Sequence, residues 1–218
     1  MVRRHTSIPI PSACDAVSTP RVHSGPFPSA AYLLTTRVRG LPLSRCLYVI
    51  SDTDCEHIAT QLGDYLTQLR DIPSLPIPDS AISDSLGEAC RDTRIRGARP
   101  VGPFGNEAAF SQVLRFSDEP ARRGHKIVFT HADLNPRNIL VDRIVRSNGT
   151  TGWELTGIVD WERAGYYPEY WEYTKAMFEG FRWPQRYNNL VRGVFKELGD
   201  YSRELDVERR SWEAGDAV

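Results

Sequence analysis

Lysine is scarce in this chain and lies on one side of it. Lys126, Lys175 and Lys196 are the only lysines among 218 residues, so no ammonium side chain is available before residue 126. Gly25 is the only glycine ahead of Gly40, which excludes a glycine-rich, phosphate-cradling loop over that stretch. Neither charge sign dominates. The 27 Lys and Arg against 28 Asp and Glu leave a formal charge of −1, which gives no general attraction to nucleic acid or an acidic membrane. No apolar run approaches the roughly 20 residues a membrane helix needs, and no apolar segment follows the basic Arg3 and Arg4 as a signal peptide requires. The cysteines Cys14, Cys46, Cys55 and Cys90 form no C-x-x-C pair and have no histidine at zinc-finger spacing. His57 beside Cys55 is one pair, not a metal site. The expectation is a protein of the reducing cytoplasm, with thiols that are buried or incidental.

What remains is the length and composition of one globular domain with a real core. Residues 1–29 hold Pro9, Pro11, Pro20, Pro26 and Pro28 without periodicity, and read as a disordered or loosely packed tail. Residues 31–36 are an apolar, β-prone run. A helix opens after Ser51, with capping-box spacing at Thr53 and Glu56. Ile58, Leu62, Tyr65, Leu66 and Leu69 give it one apolar face. Residues 71–106 read as loop. Asn106 is a candidate N-cap for a short helix over 107–116, and residues 126–130 form a buried strand.

The chemistry-bearing stretch is His131-Ala132-Asp133-Leu134-Asn135-Pro136-Arg137-Asn138. Two apolar β runs follow, at 139–141 and 155–159, with the turn pair Asn148-Gly149 between them. That hairpin returns Asp160-Trp161-Glu162 to the side of Asn138. Asp133 on a post-strand loop can accept a hydroxyl proton. Asn138 and Asp160 offer the hard oxygen ligands that Mg²⁺ takes. Pro168 opens a helix running from about 169 to 179, and another spans about 185–198 with Leu190, Val194 and Leu198 on one face. The tyrosines and tryptophan of 166–173 read as packing rather than a cation cage. Residues 201–218 read as a polar, fraying tail.

Residues 131–138, with the Asp160-Trp161-Glu162 triplet, resemble the catalytic loop and metal motif of aminoglycoside phosphotransferase and choline kinase-like proteins. The run Tyr167-Pro168-Glu169-Tyr170-Trp171-Glu172-Tyr173 resembles a fungal branch of that family. The resemblance implies an α+β, protein kinase-like large lobe over residues 30–200. It implies transfer of a phosphoryl group from ATP to a hydroxyl of an unidentified small molecule, with Mg²⁺ as cofactor. Asp133 would be the base, and Asn138 and Asp160 the metal ligands. His131 would brace the loop, with Glu162 a structural residue near the site and Glu172 a second structural acid. Thr36 and Val38 would be the hinge contacts to adenine.

Members of the family carry a small lobe ahead of the hinge, with a phosphate-covering loop and a lysine. Residues 1–29 have neither, so the chain reads as lacking that lobe. Two outcomes are expected: a phosphotransferase, or a catalytically impaired relative or interaction module. An uncovered lobe surface would then serve a protein partner or self-association.

Overall fold

A computed structural model describes residues 1–18, 31–92, 94–95 and 99–216. The helices are α1 (Val2–His5), α2 (Leu43–Cys46), α3 (Asp52–Arg70), α4 (Glu107–Ser111), α5 (Trp171–Phe178), α6 (Gln185–Lys196) and α7 (Ser202–Ser211). The strands are β1 (Ala13–Ser18), β2 (Ala31–Thr35), β3 (Leu41–Pro42), β4 (Ser83–Asp84), β5 (Ile127–Thr130), β6 (Ile139–Val145), β7 (Thr151–Ile158) and β8 (Gly165–Pro168). They pair antiparallel in three small sheets, ordered β1-β2, β3-β6-β7 and β4-β8-β5. Helices and small antiparallel sheets make the α+β architecture anticipated from the sequence.

The long helix α3 is the spine. Ser51 caps it, accepting from the Asp54 N–H at 3.1 Å. The capping pair therefore sits at Ser51 and Asp54, not at Thr53 and Glu56, because the backbone is already helical at Asp52. Ile58, Leu62, Leu66 and Leu69 are buried as their spacing predicts, and Tyr65 is half-buried. Burying each such aliphatic side chain is worth roughly 1.5–3 kcal/mol relative to leaving it exposed. That face packs on β5, β7 and α6, so α3 joins the strand leading into residue 131 to the hairpin leading into residue 160.

At Asn106 the side chain accepts from Ala109 N–H at 2.9 Å, as expected of a cap. Helix α4 then stops at Ser111, short of the expected residue 116, and Phe116 takes a left-handed φ of 55°. Helix α5 begins at Trp171, so Pro168 ends β8 instead of opening the helix, and Leu198 falls beyond the end of α6 at Lys196; Leu190 and Val194 are joined on the buried face by Tyr187 and Val191.

The amino-terminal stretch differs from the tail read in the sequence. Val2 and Ile8 are buried, and Ser7 donates its N–H and hydroxyl to Gln68 Oε1 at 2.7 and 3.0 Å. The Pro9 carbonyl accepts from Ile158 N–H at 3.1 Å, and β1 pairs with β2. The partners of this segment lie on α3 and β7, so no local pattern announced its order. The remainder of that tail, residues 19–30, lies outside the described residues.

The tail read over residues 201–218 differs in the same way over its described part, 201–216. Helix α7 buries Glu204, Leu205, Val207 and Glu208. Two of these four are glutamates, which disguised the face as polar. Glu208 pairs with the buried Arg122 at 2.8 Å, and Glu204 lies 3.2 Å from His125 Nε2. Among the described residues, no helix is long and apolar enough to cross a membrane.

Candidate active site

The strand β5 delivers His131 and Asp133 at its end, and β8 returns antiparallel beside it with Thr130 opposite Gly165. The chain leaving β8 enters α5, which sets Glu172 beneath the loop. Its carboxylate, in a residue only 3% exposed, accepts three backbone N–H groups. They come from His131 at 2.6 Å, Ala132 at 2.9 Å and Leu134 at 3.3 Å. Ala132 is held at φ 60°, a left-handed conformation that costs a residue with a Cβ about 1–2 kcal/mol. The three bonds offset that cost and fix the backbone on both sides of Asp133.

His131 ties this loop to the second half of the site. Its Nε2 lies 2.9 Å from the Val159 carbonyl, and its Nδ1 lies 3.3 Å from the Asp133 N–H. A carbonyl can only accept, so Nε2 carries the proton and Nδ1 accepts, which defines one neutral tautomer. Trp161 closes over the imidazole edge-to-face at 4.6 Å and donates its indole N–H to Ile158 O at 2.8 Å.

The hairpin β6–β7 turns at Asn148-Gly149, where Gly149 takes φ 80° and Asn148 accepts from Thr150 N–H at 3.0 Å. Ile139 stands opposite Ile158, and Val159 N–H donates to Asn138 O at 3.0 Å. The hairpin therefore returns the chain beside Asn138, as the turn signal predicted. Asn138 donates its Nδ2 to Asp133 O at 2.9 Å, with Asp133 Oδ2 at 3.4 Å. Its Oδ1 accepts no hydrogen bond among the described residues. Asp160 is exposed at φ 68°, a second left-handed position, and has no protein partner among the described residues. A carboxylate and an amide oxygen with no competing protein donors suit a hard cation such as Mg²⁺, which takes few protein ligands and keeps waters or phosphate oxygens. Among the described residues no three His, Cys, Asp or Glu side chains cluster as a cage for a metal.

The other expected site residues are placed differently. Glu162 is 72% exposed and meets Arg163 at 3.8 Å. Thr36 N–H donates to Ser12 O at 2.8 Å, so in this conformation it is engaged within the protein. Val38 is half-buried against Gly157 and Pro9. Arg137 is exposed, with its guanidinium over Trp183 at 5.2 Å. Three loop supports escaped sequence reading: Tyr187 O–H donates to Leu134 O at 3.0 Å, Ser44 N–H donates to Pro136 O at 2.8 Å, and Trp183 underlies Arg137. All three come from distant elements, and only the helical spacing of Tyr187 within α6 hinted at its burial.

The aromatic residues of β8 and of the chain leading into α5 are packing. Tyr166, Tyr167, Tyr170 and Trp171 are essentially fully buried, and the face of Trp171 is taken by Arg94 at 3.6 Å. Arg94 and Lys175 both reach Asp92 Oδ1 at 3.4 Å. Burial alone would raise the Asp92 carboxyl, but the charges of Arg94 and Lys175 outweigh it and hold it below the usual range.

A model of the phosphotransferase enzyme family matches residues 4–208. The chain belongs to the phosphotransferase enzyme family. That span takes in the amino-terminal stretch and α7 as well as the loop. No curated protein matches the chain. Among solved structures, the GDP complex of an aminoglycoside 2'-phosphotransferase-IIIa mutant is 21% identical with a TM-score of 0.51, over 96% of this chain and 65% of that one. The GDP and kanamycin complex of APH(2")-IIia is 17% identical with a TM-score of 0.50, over 96% and 66%. These likenesses show the protein kinase-like fold. The chain spans slightly less than two thirds of the length of these solved relatives.

Proposed function

We propose that this family member transfers a phosphoryl group from a nucleoside triphosphate to a hydroxyl of a small molecule, with Asp133 as general base. The observation that carries the reading is the locked loop. Glu172, His131 and Asn138 fix the backbone around Asp133 from three sides and leave its carboxylate half-exposed, without an ion pair. A carboxylate so held can orient a hydroxyl and receive its proton as the oxygen becomes nucleophilic. Asn138 Oδ1 and Asp160 are the groups that would hold Mg²⁺, which when bound neutralises phosphate charge. Positioning and electrostatics carry most of this chemistry, so a rigid loop matters more than further reactive side chains. The solved relatives bear nucleotide in their structures, GDP in both cases, which supports a nucleotide as the donor. ATP is the donor we assign, as the resemblance of residues 131–138 to the family's catalytic loop implies.

Calorimetry of Mg²⁺-dependent ATP binding tests the reading, with Asp160→Ala and Asp133→Asn alongside. The intact chain should bind, Asp160→Ala should lose the metal dependence, and Asp133→Asn should bind but transfer no phosphate. Failure of the intact chain to bind ATP with Mg²⁺ would exclude catalysis by this chain and leave an interaction role. Binding by Asp160→Ala with metal dependence intact would remove Asp160 from the metal site.

A further inference from the structure

We propose that the outer edge of β2 is a dimer interface, which pairs antiparallel with β2 of a second copy of this chain about a twofold axis at Leu33. Strands β1 and β2 form a sheet of two, so each has an outer edge with no strand against it among the described residues. A two-stranded ribbon by itself is marginal in water, and gains stability from a third strand or a covered apolar face. The apolar side chains of this ribbon are open. Every residue of β1 is exposed, and Val17, Tyr32, Leu33 and Leu34 are between 54% and 66% exposed.

The register assigns the ribbon its faces. Val17 stands opposite Tyr32, and Asp15 opposite Leu34. Alternation therefore puts Val17, Tyr32 and Leu34 on one face and Ala16 and Leu33 on the other. The two edges differ. Strand β1 carries the charge of Asp15 and a break in register between Ala13 and Asp15, and both features discourage a further strand. Strand β2 reads Ala-Tyr-Leu-Leu-Thr, with no charge and no proline. An edge of that kind recruits a strand.

The occupant that fits is a second copy. Antiparallel pairing centred on Leu33 sets Leu33 against Leu33, and each Tyr32 against Leu34 of the other copy. The stripe of Val17, Tyr32 and Leu34 then continues across the axis into the same three side chains of the other copy. The result is a four-stranded sheet with one unbroken apolar face, built from aromatic–aliphatic cross-strand pairs. A strand paired with itself about a twofold axis closes the assembly, and only the two protected β1 edges remain outside. The four exposed side chains offer roughly 400 Å² a copy, the size at which an apolar patch marks an interaction site. Two such patches with their strand backbones come to about 1,000 Å², which is what a specific interface needs at the least.

Sedimentation equilibrium of the full chain is the test, with reductant present because Cys14 is exposed. The chain should be a reversible dimer with no larger species. Leu33→Lys sets two like charges against each other across the axis, and should weaken the dimer at least tenfold. Val145→Lys places the same charge at an exposed position of β6, and should leave the dimer unchanged. Both side chains are exposed, so both variants should fold, and circular dichroism checks that they do. The register is read separately. In a Cys14→Ser background, Leu33→Cys should form an intermolecular disulfide on oxidation, and Val145→Cys should not. A monomer at every concentration, association beyond the dimer, a dimer indifferent to Leu33→Lys, or no crosslink at position 33 would each overturn the proposal. None of these measurements involves phosphoryl transfer, so the interface stands or falls apart from the reading of Asp133.

Discussion

Replacing Glu172 by glutamine tests how the loop at residues 131–138 is held. The carboxylate accepts from His131, Ala132 and Leu134 N–H groups. An amide has one acceptor oxygen. Placed where Oε2 stands, it keeps the His131 and Ala132 bonds but makes them neutral. Its NH₂ then faces Leu134 N–H, donor against donor, in a buried site. Weakening two charge-assisted bonds costs about 1 kcal/mol each, and leaving one buried N–H unpaired costs about 1–3 kcal/mol. Relief of a desolvated carboxylate returns part of this, for a net loss of about 2–4 kcal/mol. Against a typical total of roughly 5–15 kcal/mol, that shift is easily read in a urea titration followed by tryptophan fluorescence. The loop should suffer more than the whole fold, because Ala132 at φ 60° loses what holds it there. Turnover should therefore fall at least tenfold in conditions where the variant is still folded. A variant within 0.5 kcal/mol of wild type, with unchanged turnover, would refute the idea that Glu172 fixes the loop.

Asp92→Asn should destabilise by about 3–5 kcal/mol, because it leaves Arg94 and Lys175 buried without their carboxylate; the urea midpoint measures it. Asp54 is also depressed: burial acts to raise it, but hydrogen bonds from Ser51, Trp153 N–H and Arg146, with the Arg146 charge, prevail. Both carboxyls are held below the ordinary aspartate value, so this stability is complete above the ordinary carboxylate range and fades as pH falls through the lowered values. Thermal melting should therefore drop steeply below about pH 4, and less steeply in Asp92→Asn. Gly40→Ala should cost more than about 2 kcal/mol in chemical denaturation, since its Cβ would stand 2.5 Å from Thr156 Oγ1 and 2.7 Å from Val141 O at φ +107°. Trp161→Leu removes the ring over His131 and the bond to Ile158 O, and should weaken Mg²⁺–ATP binding several-fold with little change in melting temperature.

Much of the fold was written locally. The apolar face of α3, the Asn106 cap and the Asn148-Gly149 hairpin each follow from residues within a few positions of one another. The hairpin matters most for the site, because a turn and two apolar runs suffice to return Asp160 to Asn138's side. The amino-terminal stretch and α7 were misread for one reason. Their order comes from Gln68, Ile158, His125 and Arg122, all remote in sequence. Glutamates that make a buried face look the same in sequence as glutamates that face water.

Sequence alone singled out the proposed reacting set, Asp133, Asn138 and Asp160, because those residue types at that spacing suit the chemistry. Tertiary structure decided how they are held. The carboxylate of Glu172 lies about forty residues from the loop it fastens, and reaches it only because β8 runs back along β5 into α5. It also decided where α7 sits, since the ion pairs that seat it join elements far apart in the chain. Spacing encodes contacts within a turn or a hairpin; contacts between layers depend on how the layers pack, and that is settled by the core as a whole.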